Sequence, residues 1–119
     1  MTDNEYLKIC ARAVFKNGCA FKYVLIEKLT DEMIDKIIEL AIKNCGSMLK
    51  YVPIEKKTDK IILLAIQNDG IALEYVPNEN ITDEIIRLAV QKQYFALLFV
   101  PKDKITDEII NLAINKKIN

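Results

Sequence analysis

The three cysteines, at positions 10, 19 and 45, are the side chains of this sequence best suited to metal or redox chemistry. A structural zinc site needs four ligands at defined spacing, usually cysteine and histidine, and the chain contains no histidine. Cys10 occupies a position at which other segments of the chain carry isoleucine, which indicates a buried apolar side chain. Cys19 and Cys45 align with residues of mixed type. The sequence therefore predicts no metal ion and no cofactor.

Pairs of acidic residues recur along the chain, and two converging carboxylates could perform general acid–base catalysis. The pairs are Asp31-Glu32, Asp83-Glu84 and Asp107-Glu108. Adjacent side chains on a helix point about 100° apart, so these carboxylates would not converge on one substrate. Acidic residues are favoured at the positive end of a helix dipole. We therefore interpret the pairs as helix starts and predict that the protein is not an enzyme.

One set of aromatic residues could stack on nucleic-acid bases. Its members are Tyr23, Tyr51, Tyr75 and Phe99, which occupy equivalent positions in successive segments. Because phenylalanine replaces tyrosine at one of these positions, the hydroxyl group is dispensable. We therefore expect these rings to fill the core between a long and a short helix.

The elements that position these residues form an internal repeat. The dipeptide Thr-Asp recurs at 2, 30, 58, 82 and 106, so successive starts lie 28, 28, 24 and 24 residues apart. A block of the form Ile-Ile-x-Leu-Ala follows the starts at 30, 58, 82 and 106. In the repeats that begin at 30, 58 and 82, a second block follows, of the form Ala/Met-Leu-x-Tyr/Phe-Val. A fixed period of this kind is the signature of a repeat protein. The sequence predicts one domain, residues 1–119, made of repeats 2–29, 30–57, 58–81 and 82–105 and a half repeat 106–119.

Each repeat is predicted to contain a longer helix, a glycine turn and a shorter helix. Threonines at 30, 82 and 106 are candidate N-caps, and Thr2 with Glu5 has the spacing of a capping box. Glycines at 18, 46 and 70 can supply a left-handed residue after the longer helix, and prolines at 53, 77 and 101 end the shorter helix. The expected helices are 3–17, 19–24, 31–45, 47–52, 59–69, 71–76, 83–93, 95–99 and 107–117.

The apolar positions of a long helix cover an arc of about 200°, which is wider than one contact face. Such a helix must lie between two neighbours, as in an αα-solenoid, where each repeat contacts only adjacent repeats. The predicted fold is therefore all-α: a short αα-solenoid of four repeats and a terminal half repeat, right-handed by analogy with other such arrays. Arg12 replaces a leucine of the later repeats, as expected for a first helix that faces water. Alternatively, the chain is a fragment of a longer array, and its first helix is then not the end of the solenoid.

The segment 58–77 carries the most regular form of the repeat, with Leu-Ala-Ile-Gln-Asn-Asp-Gly-Ile-Ala-Leu-Glu-Tyr-Val-Pro at 64–77. It resembles the repeat of the family catalogued as domain of unknown function 4116, and the resemblance extends over nearly the whole chain. It implies a helical repeat with no assigned chemistry and transfers no catalytic residue. Arg12, Leu25 in place of proline, and Tyr94 in place of glycine depart from the pattern.

Composition and charge narrow the choice of partner. Of 119 residues, 51% are hydrophobic and 29% charged, and 17 basic side chains balance 17 acidic ones. Hence no strong field attracts nucleic acid or an anionic membrane. The N-terminus lacks the features of a signal peptide, no apolar run approaches the roughly 20 residues of a membrane span, and the odd number of cysteines fits a reducing compartment. We expect a soluble, cytoplasmic protein without membrane contact.

Three residues are apolar where the repeat does not require it: Leu63, Tyr94 and Leu98. Apolar residues on a polar surface mark protein interfaces, although local repacking could also bury these three. We therefore predict a non-catalytic protein–protein interaction scaffold, which binds another protein or self-associates through exposed end repeats. The alternative is a weak RNA- or DNA-associated module that uses lysines of the N-terminal repeats, such as Lys8, Lys22, Lys36 and Lys50.

Overall fold

The computed structural model describes residues 2–118, with side chains described for residues 2–116. Over this range the chain contains α-helices and 3-10 helices and no β-strand. The α-helices are α1 (Asp3–Lys16), α2 (Asp31–Asn44), α3 (Asp59–Asn68), α4 (Asp83–Lys92) and α5 (Asp107–Ile118). Each lies within one residue of its predicted bounds, so the all-α prediction is confirmed.

The shorter helix of each complete repeat is a six-residue 3-10 helix, and we call these four elements the short helices. They are Gly18–Tyr23, Gly46–Tyr51, Gly70–Tyr75 and Tyr94–Phe99. A further three-residue 3-10 turn follows each of them, at Ile26–Lys28, Ile54–Lys56, Asn78–Asn80 and Lys102–Lys104. The sequence did not predict these turns. Because a proline immediately precedes the last three turns, the chain cannot extend the short helix and starts a new turn instead.

Threonine caps begin the α-helices as predicted. The backbone N–H of Glu5 donates to Thr2 Oγ1 at 3.1 Å, and the Glu5 carboxylate accepts from the Thr2 backbone, which completes a capping box. The Thr30, Thr82 and Thr106 hydroxyl oxygens accept from the backbone three residues ahead at 3.2–3.3 Å. Thr58, whose cap was not predicted, does the same for Ile61.

The glycines do not act as predicted, because none of them has a positive φ. They permit close packing between repeats. A Cβ atom at Gly70 would lie 2.5 Å from the carbonyl oxygen of Ala89 in α4, and one at Gly46 would overlap the carbonyl of Ala65 in α3. A Cβ atom at Gly18 would lie 2.6 Å from the Cβ atom of Cys45, the residue that follows α2. The backbone of each of the first three short helices therefore contacts the next α-helix directly.

The helices form two layers, with α1 to α5 side by side in one and the short helices in the other. Each short helix packs against the α-helix before it and the α-helix after it. The molecule is consequently elongated, with extents of 54 × 28 × 17 Å. One continuous apolar core runs between the layers, and its largest fully buried side chains are Ile37, Ile38, Ile42, Leu49, Ile62, Ile66, Leu73 and Ile86.

Amide side chains connect successive repeats. Asn68 of α3 accepts a hydrogen bond from the Gly46 backbone N–H at 2.6 Å and donates to the Lys43 carbonyl oxygen at 3.1 Å. Gln93 accepts from the Ile71 backbone at 3.1 Å at the next junction. Polar backbone groups at the end of one α-helix are thus satisfied by the following repeat.

The first helix differs from the interior ones as expected. Arg12 is exposed, whereas the leucines at its equivalent positions, 40, 64, 88 and 112, are half-buried. An arginine is therefore accommodated on the outer side of α1 without removing its charge from water.

Candidate functional site

An apolar cavity of about 300 Å³ opens to solvent between the fourth short helix and α5. We call it the tail groove. Its lining residues are Tyr94, Phe95, Leu97, Leu98, Ile110, Ala113 and Ile114. The lining contains no carboxylate, thiol, amine or imidazole, and the Tyr94 hydroxyl is its one polar side-chain group, so the groove offers mainly apolar contact.

The tail groove is open because no short helix follows α5 within the described residues. The positions equivalent to Ile110 are 38, 62 and 86, and those equivalent to Ile114 are 42, 66 and 90; all six side chains are at most 1% exposed. Ile110 is instead 38% exposed and Ile114 50% exposed. Two positions that form the core between interior repeats therefore face water at this end.

Tyr94 and Phe95 form the aromatic side of the tail groove. Their rings meet edge to face, with centroids 5.4 Å apart and an interplanar angle of 81°. Tyr94 stands where the first three short helices begin with glycine. A side chain at that position would overlap the next α-helix in an interior repeat, whereas the Tyr94 side chain is exposed and lines the tail groove beside α5.

The structure brings two of the three predicted site residues together. Tyr94 and Leu98 both line the tail groove, and Leu98 is 80% exposed at a position where the other repeats carry Lys22, Lys50 and Glu74. Leu63 is half-buried and lines a separate, smaller cavity between α3 and α4.

A second apolar surface, at the opposite end of the array, was not predicted. Ile9 is 55% exposed and Phe15 is 71% exposed. With Arg12 and Ala13, which are also exposed, they form what we call the head surface of α1. The residues at the position of Phe15 in the later repeats are Lys43, Gln67, Gln91 and Asn115. Because all four of these residues are polar, the sequence could have identified Phe15 as an exposed apolar residue.

Part of the chain resembles a known protein family. Residues 35–81 match the family model described as domain of unknown function (DUF4116). The predicted resemblance is thereby confirmed over residues 35–57 of the second repeat and the whole of the third repeat, 58–81. No curated protein sequence and no solved structure matches the chain. The tail groove and the head surface both lie outside the segment that resembles DUF4116.

Of the four equivalent aromatic residues that were predicted to fill the core, only two pack against it. Tyr75 and Phe99 are half-buried against the core, but Tyr23 is 74% exposed and Tyr51 is also exposed. The Lys22 ammonium lies 5.1 Å from the Tyr23 ring centroid, and Lys50 lies 5.7 Å from that of Tyr51. The prediction was wrong for the first two rings, which lie on the solvent-exposed side of their short helices.

The cysteines divide into one buried residue and one close pair. Cys10 is buried as predicted. Cys19 Sγ and Cys45 Sγ, both half-buried, lie 3.0 Å apart, a proximity that the sequence did not reveal. The hydrogen bond with Cys45, reinforced by burial, raises the pKa of the Cys19 thiol, while the nearby Lys22 charge acts in the opposite direction. Among the described residues no group of three or more cysteine, aspartate or glutamate side chains could hold a metal ion.

None of the helices within residues 2–118 is long and apolar enough to cross a lipid bilayer.

Proposed function

We propose that the protein is a non-catalytic interaction scaffold that binds an apolar helical segment of a partner protein in the tail groove. The observation that carries this proposal is the exposure of Ile110 and Ile114, whose equivalents are fully buried by the next repeat in the interior of the array. A partner helix with a similar apolar face can replace that repeat. The odd number of cysteines fits a reducing compartment, so we propose a cytoplasmic location.

The size of the exposed surface sets the strength expected of the tail groove. Burying one isoleucine or leucine completely is worth about 1.5–3 kcal/mol, so covering the exposed parts of Leu98, Ile110 and Ile114 contributes roughly 2–5 kcal/mol. Association itself costs at least about 4 kcal/mol. The groove is therefore an anchor, to which further contacts along the repeats must be added for tight binding.

A comparison of three bait proteins tests this proposal. Tagged wild type, Leu98→Lys and Ile54→Lys chains are incubated with lysate of the source cells, and retained proteins are quantified by mass spectrometry. Ile54 is the matched control, since it is an exposed isoleucine in the second repeat, far along the chain from the groove. We expect partners that are retained by wild type and Ile54→Lys, lost with Leu98→Lys, and held in high salt. Equal retention by all three baits would contradict the proposal.

A second function is favoured by the exposed Lys22–Tyr23 and Lys50–Tyr51 pairs. Aromatic rings beside lysines can stack on unpaired bases while the ammonium groups contact phosphates. We therefore propose, as the alternative, weak binding of single-stranded RNA to the first two short helices.

Fluorescence anisotropy with a labelled RNA homopolymer distinguishes the two functions. RNA binding would fall steeply as salt rises, because phosphate neutralisation releases counterions. It would also be weakened by Tyr23→Ala and unaffected by Leu98→Lys. Anisotropy that does not change at low salt would exclude this alternative.

A further inference from the structure

The exposed large apolar side chains are concentrated at the two ends of the array. Among the side chains described, four belong to the first repeat, five to the fourth repeat and α5, and two to the repeats between them. The end residues are Ile9, Phe15, Tyr23, Leu25, Tyr94, Phe95, Leu98, Ile110 and Ile114. Apolar surface that is clustered in this way marks an interface.

Each end carries one half of the interface between repeats. The positions equivalent to Ile9 and Ala13 are covered by the preceding repeat: Ile109 and Ala113 of α5 are buried, although only the fourth repeat packs against α5 in the described chain. The positions equivalent to Ile110 and Ile114 are covered by the following repeat. The head surface and the tail groove thus expose opposite halves of a contact that the chain already makes between its interior repeats.

We propose that the head surface of one copy docks beside α5 of a second copy and continues the array from one molecule to the next. This inference rests on the proposed function and names the partner of the tail groove as the same chain. A second copy fits the tail groove because the new contact would repeat an interface that already exists within the chain. That interface joins α1 to α2, α2 to α3, α3 to α4 and α4 to α5.

The interior junctions define which residues would meet. Leu88 and Gln91 of α4 line a cavity with Ile66 and Gln67 of α3. By equivalence, Arg12 and Phe15 of one copy would lie against Ile114 and Asn115 of the other. The Phe15 ring and the aliphatic part of Arg12 can cover Ile114, and the guanidinium can donate to the Asn115 side-chain oxygen.

The side-chain charges at the proposed contact are compatible with this alignment of the two copies. In the interior, Glu39 pairs with Lys60 at 3.4 Å and Arg87 pairs with Glu108 at 3.6 Å, which are contacts between equivalent positions of successive helices. The corresponding residues of the new junction are Asn111 and Lys8. Lysine opposite asparagine produces no repulsion, so no like-charge contact opposes association at this position.

A contact between two different surfaces does not close on itself as a twofold dimer does. Each added molecule would leave a free head surface at one end and a free tail groove at the other. Wild type should therefore form a series of oligomers that lengthens with concentration.

Mixing two blocked variants tests the inference. Ile9→Lys disables the head surface, Ile114→Lys disables the α5 side of the tail groove, and Ile54→Lys serves as the control. A charge placed in a desolvated contact should weaken association at least about thirty-fold. By sedimentation velocity we expect oligomers for wild type and Ile54→Lys, monomers for each blocked variant alone, and a dimer for their equimolar mixture. Circular dichroism confirms that each variant is folded.

Other results would overturn the inference in recognisable ways. If Ile9→Lys associates like wild type while Ile114→Lys does not, the contact joins two tail grooves. If wild type is monomeric at every concentration, the chain does not bind itself. Neither result removes the proposed function, because the capture experiment with Leu98→Lys is read independently of self-association.

The Cys19–Cys45 pair supports a second, independent inference. The two thiols join the first short helix to the end of α2, with Sγ atoms 3.0 Å apart. The equivalent positions are Ser47 and Asp69 at the next junction, and Ile71 and Gln93 at the one after it. We infer that a peroxide converts this pair into an intramolecular disulfide that cross-links the first and second repeats.

The chemistry balances with hydrogen peroxide as the oxidant. One thiolate attacks a peroxide oxygen, which breaks the O–O bond and gives a sulfenic acid and hydroxide. The second thiolate attacks the sulfenic sulfur, forms the S–S bond and releases a second hydroxide. The two thiol protons neutralise both hydroxides, so two thiols and one peroxide yield one disulfide and two waters. Because the thiolate is the nucleophile, the rate should rise with pH as Cys19 ionises beside Cys45 and Lys22.

Mass spectrometry of the peroxide-treated chain tests this step. We expect the loss of two hydrogen atoms, a Cys19–Cys45 cross-linked peptide, one remaining titratable thiol and reversal by dithiothreitol. Cys19→Ser should abolish the cross-link, and the matched variant Cys10→Ser should retain it. Three titratable thiols after treatment, a bond that includes Cys10, or disulfides formed only between molecules would overturn the inference.

Discussion

At the scale of single residues, glycine has a contact role in this array that is separate from its conformational freedom. Gly18, Gly46 and Gly70 adopt backbone angles open to any residue, yet a side chain at each would overlap the next α-helix. At the equivalent position of the fourth short helix, the Tyr94 side chain is exposed beside α5. A side chain at this position should therefore cost stability in an interior repeat but not in the fourth repeat.

Gly70→Ala should destabilise the fold by about 1–3 kcal/mol, the usual cost of overpacking a close contact. The reason is the 2.5 Å approach of the added Cβ to the Ala89 carbonyl oxygen. Tyr94→Ala is the control and should cost less, since this side chain is exposed. Chemical denaturation measures both. A stabilised Gly70→Ala would show that α4 can move away and that the glycine is not required.

Thr82→Ala should lower the free energy of unfolding by about 1 kcal/mol. The substitution removes the oxygen that accepts from the Ile85 backbone N–H at 3.2 Å. Thr82→Ser keeps an acceptor and should remain close to wild type. If the denaturation midpoints of Thr82→Ala and wild type coincide, this cap does not stabilise α4.

At the scale of elements, the helices were predictable because their boundaries are determined by local chemistry. The recurring Thr-Asp dipeptide located the start of each of α1 to α5, and the Ile-Ile-x-Leu-Ala block supported the assignment of α2 to α5. The 3-10 geometry of the short helices and the turns after them were not predictable, because six-residue segments have no periodicity that separates 3-10 from α geometry. Glycine was misinterpreted because its close contact depends on a neighbouring repeat and not on local sequence.

The position of an α-helix in the array should determine how much a given side chain contributes. Ile37 and Ile9 are equivalent, but only Ile37 has a repeat on each side. We expect Ile37→Ala to cost about 2–5 kcal/mol and Ile9→Ala to remain within about 0.5 kcal/mol. Urea unfolding of the two variants, at concentrations low enough for the chain to be monomeric, measures the difference. Equal losses would mean that Ile9 is buried by its own chain.

At the scale of the whole molecule, the ends carry the functional proposal. Tyr94 and Leu98 could be selected from sequence because they break the pattern of their equivalent positions. Ile110 and Ile114 could not, because they match the core pattern perfectly and are exposed only because no short helix follows α5 in the described chain. Leu63 shows the reverse case, in which an apolar departure is half-buried between two helices.

The central claim is that the ends of the array are open halves of its internal interface. Backbone amide chemical shifts of an isotope-labelled chain, recorded while unlabelled chain is added, test it most directly. The account predicts the largest changes at Tyr94 to Phe99, at Ile110 and Ile114, and at Ile9 to Phe15, with little change at Ile54. Changes centred on Lys22, Tyr23, Lys50 and Tyr51, or spectra that do not change with concentration, would contradict it.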